Sequence, residues 1–168
     1  MKILVAYYSN TGNTERVAKA IADALASEEL ELLLVKDVNP STLGSYDLVI
    51  LGSGIYASKV HVSITKMMKA VESFPPKFAF FCTHASDNMY QDGFKAVMRV
   101  IKKTDSSIVG EFDCMGENLG MPKEQQLKML EGLPPEQRKK AEDHQKKLKG
   151  RPNEEDLENA KKFARTLI

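Results

Sequence analysis

Cysteine is scarce in this chain and poorly placed for cross-linking. Only Cys82 and Cys114 occur among 168 residues, each inside an apolar run, with no Cys-x-x-Cys pair and no disulfide-scaffold spacing. Reduced, buried thiols in a cytoplasmic protein are therefore expected. Long hydrophobic stretches are missing too: nothing approaches the ~20 apolar residues of a membrane span. The apolar opening at residues 3–8 is too short for the hydrophobic region of a signal peptide and has no small-residue cleavage site after it. Charge of one sign is not in excess either, since 24 Lys and Arg stand against 23 Asp and Glu for a net +1. That balance excludes a strongly basic nucleic-acid binder, and hydrophobic residues at 42% exclude disorder. There is no internal repeat or low-complexity tract. A core at this length can bury roughly 70% of the unfolded surface, so one domain over residues 1–168 is expected without metal or disulfide support.

What is present is an alternation of strand and helix. Ile3-Leu-Val-Ala-Tyr-Tyr8 is a continuous apolar run that stops at Ser9-Asn10-Thr11-Gly12, the pattern of a fully buried strand and a turn. Val17, Ile21, Ala24 and Leu25 then share one helical face, with Glu15, Arg16, Lys19 and Asp23 opposite. Residues 30–35, 47–51, 77–82 and 108–114 read as further buried strands, and 62–71, 93–102 and 154–168 as helices, the last started by Pro152 or Asn153. Five such strands separated by helices predict an α/β fold with a doubly wound parallel sheet, because each parallel return needs a crossover. Ligands in such sheets sit beyond the carboxyl ends of the strands. Residues 121–151 are more polar than their surroundings and read as an insertion of two helical pieces, 123–130 and 136–148, broken by Gly132-Leu133-Pro134-Pro135.

The first turn, Ser9-Asn10-Thr11-Gly12-Asn13-Thr14, sets hydroxyls and amides around a glycine at a helix start. Unpaired N–H groups there suit a phosphate. The turn carries no Lys or Arg, which argues against a nucleoside triphosphate with magnesium and for a phosphate monoester. The competing reading is that Ser9 or Thr11 caps the helix while Gly12 eases the turn.

The run from Tyr7 to Thr14 resembles the FMN phosphate loop of flavodoxins, Ser/Thr-x-Thr-Gly-x-Thr after the first strand. The resemblance takes in all five strands and the final helix and leaves out residues 121–151. It implies strand order 2-1-3-4-5 and FMN as cofactor, with the phosphate on Ser9, Asn10, Thr11, Gly12, Asn13 and Thr14. It places the first ring loop at Ser53, Gly54, Ile55, Tyr56 and Ala57, where Tyr56 stands at a position that often holds Trp. The alternative for Tyr56 is a half-buried surface aromatic. The second ring loop falls on Thr83, His84, Ala85, Asp87 and Tyr90, with Tyr90 either covering the ring or opening the next helix. Gly52-x-Gly54-x-x-Ala57 also spells a dinucleotide fingerprint, but that motif belongs in the first strand-helix turn.

Departures from the family pattern carry information. Flavodoxins commonly place an acidic residue about where His84 stands; a histidine there should raise the potential of the second reduction. A solvated loop residue is the alternative for His84. Residues 122–151 hold nine Lys or Arg against five acids, a net +4 that leaves −3 for the rest. Typical flavodoxins are strongly acidic, so this near-neutral body points away from the usual reductase. The basic stretch faces solvent, a partner or an anionic membrane surface.

The resemblance implies an electron carrier with noncovalent FMN, docking redox protein partners at the flavin edge, with no catalytic residue and no metal. The alternative is an FMN-dependent oxidoreductase on a bound substrate, because Gly52, Ile55 and His61 look somewhat like the matching loop of the menaquinone-dependent protoporphyrinogen oxidases. A third reading is a non-redox domain whose loop holds sulfate or another phosphate ligand. Ala57 stands where the family often has a glycine whose peptide flips to meet the reduced ring, and alanine resists φ > 0. The FMN-loaded protein is therefore expected to accumulate less half-reduced flavin than typical flavodoxins; a long-lived blue intermediate at near-full yield in a stepwise reductive titration would overturn this.

Overall fold

The computed structural model describes residues 1–168. Its parallel strands are β1 (Lys2–Tyr8), β2 (Glu29–Leu34), β3 (Leu48–Tyr56), β5 (Lys77–His84) and β6 (Ser107–Met115), and a two-residue β4 (Lys59–Val60) folds back antiparallel on β3. The order β2-β1-β3-β5-β6 is the doubly wound order expected. Helices α1 (Asn13–Ala24) and α6 (Glu154–Arg165) cover one face; α2 (Val62–Lys69) and α3 (Lys95–Ile101) cover the other.

The central strands are apolar on both sides because both sides are covered. In β1, Ile3 and Val5 pack with Val17 and Ile21 of α1, whereas Leu4 and Ala6 pack with Ile64 and Met68 of α2. In β5, Phe78 and Phe80 join the α2–α3 side while Ala79 and Phe81 join the α1–α6 side. Each of the larger aliphatic and aromatic side chains among them, shielded completely, contributes about 1.5–3 kcal/mol, and each alanine methyl less. The edge strands differ from the buried strands expected. Glu29 and Glu31 of β2, and Ser107, Val109, Glu111 and Asp113 of β6, are exposed, since an edge strand shares neither layer fully.

Strands β3 and β5 also run past their expected ends, so Ser53, Gly54, Ile55, Tyr56, Thr83 and His84 lie in strands rather than in loops. Gly52, Ser53 and Gly54 stay in register with Phe81, Cys82 and Thr83. Gly52, one residue past the strand expected at 47–51, continues β3 as glycine because an aromatic ring needs its space: a Cβ there would come within 1.9 Å of Phe81 Cζ. Only Ala57 and Ser58 form the turn of the β3–β4 hairpin, at φ 47° and 64°.

Between β6 and α6 lie α4 (Lys123–Glu131) and α5 (Pro135–Leu148), close to the two helical pieces expected. Helix α6 starts with a capping box in which Asn153 Oδ1 accepts from the Asp156 N–H at 3.0 Å and Asp156 Oδ2 accepts from the Asn153 N–H at 2.8 Å. No helix is long and apolar enough to cross a membrane.

Gly52→Ala is expected to destabilise the fold by about 1–3 kcal/mol through overpacking against Phe81. Gly132→Ala, at a right-handed position whose Cβ would meet nothing nearer than 3.6 Å, is expected to be neutral or slightly stabilising. Urea denaturation of the two variants distinguishes these outcomes.

Candidate functional site

At the carboxyl ends of β1, β3, β5 and β6 the chain encloses a cleft of about 290 Å³. Its lining draws on Ser9, Asn10, Thr11, Asn13 and Thr14 after β1, Gly54, Ile55 and Tyr56 at the end of β3, Thr83, His84 and Ala85 at the end of β5, and residues 116–120 after β6. The three segments singled out in the sequence thus share one cavity.

The turn after β1 does more than cap a helix. Gly12 takes a left-handed conformation at φ 92° and α1 starts with no side-chain cap. Ser9 Oγ accepts instead from the Gly12 N–H at 3.1 Å, one residue before the helix. The Asn10 N–H faces the Tyr56 hydroxyl. The N–H groups of Thr11, Asn13, Thr14 and Glu15 are left with no acceptor in the protein. Four donors at a helix start, without a lysine or arginine in the turn, suit a phosphate held by hydrogen bonds and the helix dipole.

Two polar contacts fix this turn against the rest of the cleft. Thr14 Oγ1 shares a hydrogen bond of 2.8 Å with Thr83 Oγ1, both residues buried. Asn13 Nδ2 donates to the Glu117 carbonyl at 2.8 Å. Glu117 is a junction, since its N–H donates to the Arg151 carbonyl at 2.9 Å and its Oε2 accepts from the Gly150 N–H at 2.8 Å. The neighbouring Gly116 N–H donates to the His84 carbonyl at 2.8 Å.

His84 is a buried residue, 6% exposed, rather than a solvated loop side chain. Its Nδ1 lies 2.7 Å from the Ser86 carbonyl and its Nε2 lies 3.0 Å from Asp113 Oδ2. Both nitrogens face oxygen atoms, and these two contacts fix the orientation of the ring. Tyr90 stacks on this ring at 3.7 Å from the side away from the cleft and lines separate cavities; Asp87 likewise lies outside the cleft, with its carboxylate 3.6 Å from His144 Nδ1.

Tyr56, 38% exposed, lines the cleft with its hydroxyl close over Gly54. Burial and the adjacent Tyr8 push its phenol up from the ordinary value. Tyr56 meets Tyr8 edge-on at 5.9 Å, and Tyr8 stacks flat on His61 at 3.5 Å, so three rings brace one wall. His61 Nδ1 accepts from the Ser63 N–H at the start of α2, and the His61 N–H donates to Ser53 Oγ at 3.0 Å. Ser53 is therefore a buried brace of the hairpin, while Ala57 lies in its turn outside the cleft lining.

Sequence reasoning missed Asp113, residues 116–120 and the Tyr8–His61 stack. The segment Gly116-Glu-Asn-Leu-Gly120 does carry turn chemistry after a strand, at the sheet end where ligands bind, and that signal was available. Asp113 and the stack join residues far apart in the chain, which no local pattern exposes.

A family model described as the flavodoxin domain matches residues 4–165. An uncharacterized protein of Methanocaldococcus jannaschii is 31% identical over 170 residues, covering 100% of this chain and 99% of its own length. The flavodoxin-like domain-containing protein BilS of Clostridioides difficile is 26% identical over 177 residues, covering 100% and 97%. Among solved structures, oxidised flavodoxin 2 of Bacillus cereus matches with a TM-score of 0.66 and 20% identity over 98% of this chain and 95% of that one.

The two thiols lie just beneath this site without joining it. Cys82 and Cys114 are buried, and burial pushes the Cys114 thiol up to about 12 and the Cys82 thiol further still. Both stay protonated at mildly alkaline pH, and a protonated thiol is a poor nucleophile. A disulfide reagent is therefore expected to leave both unmodified in the folded protein and to titrate both after unfolding in guanidinium. Stoichiometric reaction of either thiol in the native state would overturn this.

Proposed function

The chain belongs to the flavodoxin domain family, and on that premise we propose that it binds FMN noncovalently in the cleft and transfers electrons between redox partners. The observation that carries this reading is the set of four unpartnered N–H groups at the start of α1, next to the hydroxyls of Ser9, Thr11 and Thr14. The bound flavin supplies the electron-accepting chemistry; the protein supplies orientation, shielding and electrostatics. The turn of residues 9–14 holds the phosphate. Tyr56 and Ile55 cover one side of the ring site, and Thr83, His84 and Ala85 line the other. His84, its ring held between the Ser86 carbonyl and Asp113, would fix the shape of the cleft wall on that side of the ring site. The protein is one domain over residues 1–168, with residues 121–151 inserted before the last helix. It acts in the cytoplasm, and redox proteins dock at the open edge of the cleft.

A second reading, an FMN-dependent oxidoreductase acting on a bound substrate, is favoured by one observation: the cleft adjoins a larger apolar groove along α4 and α5.

FMN is expected to bind at least roughly a hundredfold more tightly than riboflavin, the ~3 kcal/mol of one or two charge-assisted hydrogen bonds. Quenching of flavin fluorescence measures both affinities. Equal affinity for the two flavins, or no binding of either, would overturn the assignment of the phosphate site.

A further inference from the structure

The groove between α4 and α5 has a volume of about 730 Å³, more than twice that of the cleft, and shares with it Glu117, Asn118 and Leu119. Its floor is Leu130 and Leu148, both buried, and its walls include Met121, Leu127 and Leu119. Leu127 and Leu119 are 58% and 56% exposed, so the helical pair seals its own base and leaves its upper apolar surface uncovered. An open apolar hollow of this volume falls in the size range of small-molecule sites.

Charge at the mouth selects among occupants. Lys123 and Lys149 line the groove, and neither has a carboxylate within salt-bridge distance, unlike Lys128, Lys140 and Lys146, which pair with acids on their own helices. Lys123 is the first residue of α4, which starts after Pro122 without a side-chain cap, so its first-turn N–H groups add to the positive end. Of the carboxylates lining the groove, Glu117 already accepts from the Gly150 N–H, and Glu142 is the one left over. An apolar hollow with two unpaired ammonium groups and a helix start at its mouth complements an apolar body that carries a carboxylate.

We propose that this groove is a binding site for a small amphipathic carboxylate, lodged beside the flavin cleft across the shared wall of residues 117–119. The proposal deepens the second reading of function by stating the class of the bound molecule, and the site itself needs no flavin. Its position puts such a molecule next to the cleft, with Lys123 and Lys149 on the groove lining to hold the carboxylate.

The test uses anilinonaphthalene sulfonate, a fluorescent apolar anion, bound to the full-length protein in the presence of excess FMN. Decanoate is expected to displace it at about tenfold lower concentration than decanol, and decylammonium is expected to be no better than decanol. The Lys123→Gln/Lys149→Gln double variant should erase the preference for decanoate, and Leu127→Glu should abolish probe binding; all three substitutions are at exposed side chains outside the cleft. Equal displacement by decanoate and decanol, undiminished probe binding in Leu127→Glu, or co-sedimentation with anionic vesicles in place of decanoate binding would overturn the proposal. Flavin affinity is read separately by fluorescence quenching, so loss of FMN binding with decanoate binding intact would sink the flavin assignment alone.

Discussion

Four backbone N–H groups without an acceptor stand at the start of α1, and the surrounding structure is arranged to keep them there. An unpaired buried donor costs about 1–3 kcal/mol, so a helix start of this kind is normally closed by a capping side chain. Here Gly12 turns the chain through a left-handed conformation with open space where a Cβ would be. Ser9, the nearest hydroxyl able to cap, is occupied by the Gly12 N–H. The donors therefore face the cleft. Thr14 and Asn13 convert that local geometry into a global one, because their side chains bond to Thr83 at the end of β5 and to Glu117 after β6.

From there the cleft inherits the rigidity of the sheet. Thr83 sits in register beside Gly54, which lies beneath the Tyr56 hydroxyl, so the walls on β3 and β5 are neighbours in one ladder. Next to Thr83, His84 bonds across the sheet to Asp113 on β6. Glu117 then carries the chain from the cleft to Gly150 and Arg151, at the end of α5. Arg151 in turn donates to Asp156 at 2.6 Å, inside the capping box that starts α6. One contiguous polar path thus links the turn of residues 9–14 to the helix that closes the fold. A second tie comes from α5 itself, where His144 Nε2 meets the Ala85 carbonyl at 2.5 Å.

What was legible in the sequence was whatever depends on neighbours along the chain. The spacing of Val17, Ile21 and Leu25 marks α1, and the run from Ile3 to Tyr8 marks a strand covered on both sides. The hydroxyl-rich turn around Gly12 marks a helix start with free donors, because the turn and the helix are consecutive in the chain. The limits were set by partners far away in the chain. Gly52 looks like a loop glycine until Phe81 is placed against it. His84 looks like a solvated loop residue until Asp113 and Ser86 take its two nitrogens. Tyr56 and Tyr90 could be assigned to ring loops but not to a side, and the structure sends Tyr90 behind His84, away from the cleft. The edge character of β2 and β6 depends on strand order, which alternation along a single strand does not reveal.

The same dependence on distant contacts explains how Ala57 and Ser58 hold φ values of 47° and 64° without glycine. A left-handed residue with a side chain costs roughly 1–2 kcal/mol, and two in succession persist only where the surroundings over-determine them. The surroundings do so here. Ile55 pairs with Val60 and Tyr56 with Lys59 across the turn, the Val60 N–H donates to the Gly93 carbonyl at 3.2 Å, and Ser53 holds the His61 N–H. Ile55 in addition fills the space a side chain at Gly93 would need. The hairpin is therefore clamped on both sides of its turn. A glycine at either position would reach the same conformation without the strain and leave it more readily. By using alanine and serine, this chain places that backbone strain in the wall beside Tyr56, where the paired hairpin and the Ser53 brace hold it.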